Sequence, residues 1–132
     1  TRIRKLKNGE YDAILLSKAG IDALNLSEII TQEFSIDELI PCAGQGIISA
    51  QCRDEDQQIK DLLEKINDNE TRIIANAERE ILKILEGDCN TAIGVHAKIN
   101  KNFIKLSVEL FSIDGNERYF IEDEKEKNSI II

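Results

Sequence analysis

The stretch IGVHAKINKNFIKLSVEL, residues 93–110, governs the architecture of the second half of this chain. Apolar and polar residues alternate over residues 93–99 and again over residues 104–110, which is the pattern of two strands that each bury one face. The Asn-Lys-Asn segment between them, residues 100–102, is typical of a turn. The stretch therefore predicts an antiparallel β-hairpin with one apolar face.

The sequence after the hairpin predicts one more strand. Asp114-Gly115-Asn116 has the composition of a turn, and Tyr119-Phe120-Ile121 is rich in residues that favour strands. The charged residues 122–128 and the last four residues, Ser-Ile-Ile-Ile, predict a tail with no further helix to cover the sheet.

The sequence before the hairpin predicts a helix over about residues 67–86. Asn67, followed by Glu70 three residues later, fits an N-cap arrangement like the capping box. Gly87 stands where a residue in the left-handed conformation commonly ends a helix. One helix against three antiparallel strands makes a small α+β unit. The predicted apolar face of this helix consists of Ile74, Ala77, Ile81 and Leu85.

The first half of the chain contains the short apolar runs of an α/β domain. Residues 11–16 and 47–52 predict buried strands, residues 36–40 a short extended piece, and residues 17–26 and 54–66 helices. The expected fold class is therefore α/β, with a partial parallel or mixed sheet domain followed by the small α+β domain. The predicted buried face of the second of these helices consists of Ile59, Leu62, Leu63 and Ile66.

Charge and hydropathy exclude several classes of function. The 132 residues carry 17 basic and 25 acidic side chains, a formal charge of -8, so the chain as a whole offers no electrostatic footprint for nucleic acid or anionic lipid. No run approaches the roughly 18 consecutive apolar residues of a membrane helix. Basic residues do cluster at the start of the chain, where Arg2 could grip a ligand carboxylate through two parallel hydrogen bonds.

The cysteines argue against a metal site. Cys42, Cys52 and Cys89 form no CxxC pair, and His96, the single histidine, is too isolated to complete a zinc cluster. A reducing cytoplasm is the simpler setting for such a chain. Cys42 and Cys52 lie beside or within apolar runs, and we assign both to packing.

Cys89 follows the predicted end of a helix, in a loop before a strand, where functional groups are often displayed. The helix C-terminus is partially negative and Asp88 adds charge, so the helix does not activate this thiol. The thiol suits attack on a strong, soft electrophile or a single modification. An inert buried cysteine is the alternative. A hydrolase pairing with His96 is set aside because no oxyanion hole can be identified.

Seven short motifs, taken in order and at their spacing, strongly resemble the porphobilinogen deaminase family, also called hydroxymethylbilane synthase. Each motif alone is unspecific, but the ordered set runs over nearly the whole chain. The motifs are TRIRKL (1–6), GEYDAI (9–14), AGI (19–21), GQG (44–46), NET (69–71), AER (77–79) and LEGDC (85–89).

The resemblance implies a cytoplasmic transferase of tetrapyrrole and haem biosynthesis that is monomeric at full length. Such an enzyme deaminates porphobilinogen and adds four units stepwise to a dipyrromethane cofactor, which a thioether attaches to the residue matched by Cys89. Arg2 matches an arginine that binds pyrrole acetate and propionate groups. Gln45 and Gly46 match a crossover beside the cofactor cleft.

The resemblance also implies a division into domains. Residues 1–42 match the later part of domain two, residues 43–66 a crossover strand and helix that pack on domain one, and residues 67–132 the C-terminal domain with the attachment cysteine. The family's catalytic aspartate lies in the N-terminal domain, so no catalytic residue is expected in this chain, which we read as a fragment without activity of its own.

Three features depart from the family pattern. Ala23 stands where the family usually has a carboxylate-binding arginine, Asp88 replaces the glycine before the cysteine, and Asn90-Thr91-Ala92 lacks the proline commonly found after it. Ala23, Asp88 and the expected absence of the N-terminal domain motivate an alternative hypothesis, a non-catalytic α/β binding module or decayed paralogue.

Overall fold

In the computed structural model the described residues are 1–87 and 91–127. The chain divides into two units, residues 1–35 and 36–132, and each is considered by itself. Within the described ranges no helix is both long and apolar enough to cross a membrane.

The first unit is made of short helices. Helix α1 spans Arg2–Lys7 and α2 spans Lys18–Ala23, followed by a 3₁₀ turn at Ser27–Ile29. Helix α2 is shorter than the predicted 17–26 because Asn25 adopts a φ of 53° and the Leu26 N–H bonds the Ile21 carbonyl at 3.2 Å, which ends the helix.

The strand predicted over residues 11–16 is wrong. These residues are irregular, and Leu15 is 65% exposed. An apolar run forms a buried strand only when neighbouring strands accept and donate its backbone hydrogen bonds. Among the described residues of this unit no strand is available to do so.

The second unit begins with irregular chain and a short helix. The segment over residues 36–40, predicted to be extended, is a turn, and residues 47–52 are irregular instead of a strand. Helix α3 spans Gln57–Glu64, with the Asp56 carboxylate accepting a hydrogen bond from the Ile59 N–H at 3.4 Å. Its predicted buried face is largely exposed, because no other described element packs extensively on it. Ile59, Leu62 and Ile66 are exposed, and Leu63 is half-buried.

Helix α4 spans Asn69–Ile84 and confirms the long helix expected before the hairpin. Its N-cap is Asp68 rather than the predicted Asn67. The Asp68 backbone is extended, and its carboxylate accepts a hydrogen bond from the Thr71 N–H at 2.7 Å. This bond satisfies one of the helix-end donors that would otherwise lack a partner.

The C-terminal end of α4 corrects the role given to Gly87. The residue in the left-handed conformation is Glu86, with a φ of 51°. The Gly87 N–H donates to the Leu82 carbonyl at 2.8 Å, and the Glu86 N–H donates to the Lys83 carbonyl at 3.2 Å, which is the Schellman pattern. A glycine at position 87 avoids a close contact instead, because a Cβ atom there would lie 3.3 Å from Leu82 Cδ2.

Three antiparallel strands follow in the order β1-β2-β3, and they confirm the predicted α+β domain. Strand β1 spans Ile93–Asn100, β2 spans Phe103–Phe111 and β3 spans Arg118–Glu126. The hairpin pairs each apolar residue of β1 with an apolar residue of β2, from Ile93 with Leu110 to Ile99 with Ile104. Helix α4 packs against β1. The buried apolar residues of the domain are Ile40, Ile93, Val95, Ala97 and Ile104.

The charged segment predicted as a tail belongs largely to β3. Residues 122–126 continue the strand and pair with β2 as far as Phe103. Glu122 receives a hydrogen bond from Ser107 Oγ at 3.0 Å and an ion pair from Lys105 Nζ at 2.8 Å. Because its charges are met by polar residues of β2, the segment extends the sheet without an apolar face. Residues 128–132 lie outside the described part of the chain.

Candidate functional site

A loop with two successive turns, residues 42–47, precedes α3; we call it the double-turn loop. The Gln45 N–H donates to the Cys42 carbonyl at 3.0 Å, and the Ile47 N–H donates to the Gly44 carbonyl at 3.1 Å. Gly44 and Gly46 occupy the third position of these turns with φ of 76° and 83°. A type II turn requires a positive φ at that position, which explains both glycines. Gln45 is exposed between them.

The chain just before the double-turn loop is fixed on β1. The Pro41 carbonyl accepts a hydrogen bond from the Val95 N–H at 2.8 Å. Ile40 covers Gly94 so closely that a Cβ atom on Gly94 would lie 2.7 Å from the Ile40 carbonyl oxygen. Gly94 is therefore the residue that lets the loop approach the strand.

Glu78 of α4 connects the double-turn loop to the sheet. The residue is 3% exposed, and both carboxylate oxygens are used. Oε2 accepts a hydrogen bond from the Gly44 N–H at 2.6 Å, and Oε1 accepts one from the Ala97 N–H at 2.8 Å. His96 Nδ1 lies 3.7 Å from Oε1. A buried carboxylate requires such donors, and here they come from a loop and a strand. We call this arrangement the Glu78 anchor.

Sequence reasoning missed Glu78, although a signal was present. Glu78 follows Ile74 by four residues and precedes Ile81 by three, so it lies within the apolar face of α4. An acidic residue inside such a face must find hydrogen-bond donors or remain unsatisfied. The pattern predicts a buried partner, but it does not indicate which segment of the chain supplies it.

The sequence-predicted ligand residues fall in different parts of the chain. Arg2 is the first residue of α1, in the first unit, and is exposed. Gln45 and Gly46 lie in the double-turn loop of the second unit, two positions or fewer from the N–H that Glu78 binds. Cys89 and Asp88 lie outside the described residues. The structure therefore joins Gly44, the residue before Gln45 and Gly46, to Glu78, and it does not test the position of Cys89.

Of the two cysteines assigned to packing, Cys42 differs from the prediction. Cys42 is exposed at the start of the double-turn loop, so its assignment to packing is wrong, whereas Cys52 is half-buried. His96 is half-buried, and its Nδ1 lies beside the Glu78 carboxylate. In residues 1–87 and 91–127, no three His, Cys, Asp or Glu side chains group as they would to hold a metal ion.

Comparison with known proteins identifies two family models along the chain. The model described as "Porphobilinogen deaminase, dipyromethane cofactor binding domain" matches residues 1–61. The model described as "Porphobilinogen deaminase, C-terminal domain" matches residues 73–131, which include all of α4 except its first turn and all three strands of the α+β domain.

Curated relatives carry the same name. The porphobilinogen deaminase of Exiguobacterium sibiricum is 43% identical over 119 residues, which are 89% of this chain and 39% of the relative. That of Campylobacter hominis is 41% identical over 128 residues, covering 96% of this chain and 41% of the relative. That of Desulforamulus reducens is 34% identical over 131 residues, covering 99% and 42%.

The chain thus spans about two fifths of the length of these relatives. Both family models match in chain order, and together they leave only residues 62–72 and 132 unmatched. The second match coincides with an α4–β1–β2–β3 domain that the structure also contains. On these grounds the chain belongs to the porphobilinogen deaminase family.

Proposed function

We propose that this chain is the later part of a hydroxymethylbilane synthase, a transferase that deaminates four porphobilinogen units and joins them stepwise. The observation that carries the proposal is the ordered match of the cofactor-binding and C-terminal domains to residues 1–61 and 73–131. The proposal extends to the whole protein, in which the family's catalytic aspartate lies outside these residues. The chain alone is therefore expected not to complete the reaction.

Cys89 is the proposed attachment point of the dipyrromethane cofactor, through a thioether. It follows Gly87, the last residue of the Schellman motif, by two positions. The C-terminal end of α4 is partially negative, and Glu86 adds negative charge, so the thiolate is not favoured there. A thiol of this kind suits one lasting bond to a soft carbon electrophile better than repeated nucleophilic turnover.

Two observations, each made within one unit of the chain, support the proposed cofactor-binding residues. The double-turn loop leaves open space, because Cβ atoms added to Gly44 or Gly46 would meet no atom within 4 Å. Gln45 is exposed beside this space and offers an amide donor. Arg2 is exposed on α1 and offers the guanidinium that binds carboxylates in pairs of hydrogen bonds. We propose Arg2, Gln45 and Gly46 as the residues that hold the cofactor.

The cofactor, when bound, supplies the pyrrole carbon to which new units are joined. The chain's own contribution in this proposal is to bind and orient. Arg2 neutralises carboxylates, while Gln45 and Gly46 shape one wall of the site. Ala23, where the family usually has an arginine, leaves Arg2 with a larger share of the charge neutralisation.

We propose the domain layout of residues 1–42, 43–66 and 67–132 for the full-length protein. The exposed apolar side chains of α3, Ile59, Leu62 and Ile66, support the idea that this helix packs on another domain. We also propose that the full-length protein is a cytoplasmic monomer that binds no nucleic acid, and the net charge of -8 of this chain supports the last point.

Intact-mass measurement tests this proposal. The full-length protein that contains this chain, expressed with porphobilinogen available, is expected to carry a dipyrromethane adduct. Cys89→Ser should remove the adduct and abolish tetrapyrrole formation. Cys42→Ser is the control, because Cys42 is a free and exposed cysteine that is not proposed to carry the cofactor, and it should leave the adduct in place.

Two results would contradict the proposal. If the protein carries no adduct and makes no tetrapyrrole, the alternative of a non-catalytic binding module is favoured. If the adduct persists in Cys89→Ser and disappears in Cys42→Ser, the enzyme assignment stands and the attachment residue is Cys42.

A further inference from the structure

We propose that Glu78 is a positioning residue that holds the Gln45–Gly46 turn against α4, the helix that leads to Cys89. The inference rests on the proposed function, because it concerns the geometry of the same site. It starts from two hydrogen bonds, from the Gly44 N–H to Oε2 at 2.6 Å and from the Ala97 N–H to Oε1 at 2.8 Å, and from the near burial of Glu78.

The hydrogen bonds inside the double-turn loop fix its shape but not its position. The Gln45-to-Cys42 and Ile47-to-Gly44 bonds join residues of the loop to one another. The Pro41 carbonyl, bound to the Val95 N–H, holds only the start of the loop. Among the described contacts, the bond from Gly44 to Glu78 is the one that fixes the middle of the loop to another element.

Glu78 also joins the loop to both elements that flank Cys89 in sequence. Beyond Glu78, helix α4 continues to Ile84, and the Schellman motif that ends the helix extends to Gly87. Strand β1 begins at Ile93. One carboxylate therefore sets the distance between the residues proposed to line the cofactor site and the scaffold that presents the attachment cysteine. This is a positioning role, since Glu78 is buried and both of its carboxylate oxygens accept hydrogen bonds from backbone N–H groups.

The anchor requires two acceptors. Both partners of Glu78 are N–H groups, so each carboxylate oxygen must accept. Glutamine has the same size but offers one acceptor and one NH₂ group, which would face an N–H donor. Glu78→Gln should therefore release either Gly44 or Ala97. Since Ala97 lies within a strand and Gly44 in a loop, we expect Gly44 to be released.

The first arm of the test uses the full-length protein that contains this chain and needs no enzyme activity. Amide NMR shifts and hydrogen exchange are compared for the native chain, Glu78→Gln and Glu80→Gln. Glu80 is a matched control, because it lies on the same helix with its side chain 58% exposed. In Glu78→Gln the Gly44, Gln45 and Gly46 amides should shift and exchange at least 10-fold faster, while the β1–β2 amides keep their protection. Unchanged loop amides would overturn the proposal.

The second arm uses the full-length protein. Misplacement by about 1 Å can reduce a rate about 100-fold, so Glu78→Gln should lower kcat by roughly that factor. The Cys89 adduct should still form and the KM should change much less than kcat. A purely structural role would instead reduce the amount of folded enzyme and leave the kcat of the folded fraction unchanged, and that result would overturn the positioning role.

The two proposals fail in different ways. Absence of any adduct in the native full-length protein contradicts the proposed function, whatever Glu78 does. A native adduct and activity, together with a Glu78→Gln variant of normal kcat, contradict only the role of Glu78. Should Glu78→Gln fail to fold, Glu78→Asp provides the second variant. It keeps two acceptors on a shorter side chain, and the loop shift and kcat loss should be smaller but still measurable.

Discussion

Ile48 and Ile104 are both isoleucines of the second unit, yet one is exposed to solvent and the other is buried. Ile104 of β2 is 3% exposed, whereas Ile48 is 96% exposed. Ile104 is paired with Ile99 of β1 and shielded by its neighbours in the sheet, while Ile48 lies in irregular chain after the double-turn loop. Strand pairing alone does not bury a side chain, because Tyr119, Phe120 and Ile121 of β3 are paired with β2 and are at least half exposed. The difference teaches that burial depends on the elements that pack around a residue, and not on the apolar run in which it lies.

The largest expected difference in the free energy of unfolding is between the variants Ile104→Ala and Ile48→Ala, and it tests this comparison directly. Ile104→Ala removes buried methyl and methylene groups and should lower the free energy of unfolding by about 3 kcal/mol. Ile48→Ala changes an exposed side chain and should alter it by less than about 0.5 kcal/mol. Urea denaturation of the 132-residue chain measures both values. Equal losses would mean that Ile48 is buried in solution and would break the comparison.

Glu86, the residue in the left-handed conformation at the end of α4, provides a smaller effect in the opposite direction, because its replacement by glycine should increase stability. Glu86 adopts a φ of 51°, a conformation that costs a residue with a Cβ atom about 1 kcal/mol and costs glycine little. Glu86→Gly should therefore raise the free energy of unfolding by up to about 1 kcal/mol. Glu86→Ala, the control, keeps the Cβ atom and should gain only the few tenths that removal of a negative charge provides. A gain in Glu86→Ala equal to that in Glu86→Gly would assign the effect to charge.

The N-terminal end of α4 provides the smallest effect, and it depends on pH. The hydrogen bond from the Thr71 N–H lowers the pKa of Asp68 below its ordinary value. The stabilisation is therefore complete above the pKa of an unfolded aspartate, about 3.9, and is lost as the pH falls through the lower folded pKa. Asp68→Asn can also cap the helix but cannot titrate.

Thermal melting at pH 7 and in acid checks this expectation. At pH 7, Asp68→Asn should melt near the native temperature and Asp68→Ala a few degrees lower, about 4 °C. Below pH 3.9 the native chain should lose more stability than Asp68→Asn. If both lose the same amount, the carboxylate does not contribute as a cap.

The sequence is sufficient for the α+β domain because its signals are local. Alternation in residues 93–110 sets the strand faces, and the turn between them joins two strands that need only each other. The strands expected over residues 11–16 and 47–52 needed partners from elsewhere in the chain, which local patterns cannot supply. The candidate site divides in the same way. The glycines of the double-turn loop are readable from the sequence, but the Glu78 anchor depends on a contact between residues 34 positions apart.

Pro41 and Glu78 have a consequence for how the protein behaves when concentrated. Strand β1 forms one outer edge of the three-stranded sheet, and outer edges invite pairing with other molecules. Two of its outward N–H groups, those of Val95 and Ala97, are already taken by the Pro41 carbonyl and the Glu78 carboxylate. The opposite edge, β3, carries a Glu-Asp-Glu-Lys-Glu run that would repel a second copy of itself. The same contacts that fix the double-turn loop therefore also keep the sheet from growing into an aggregate.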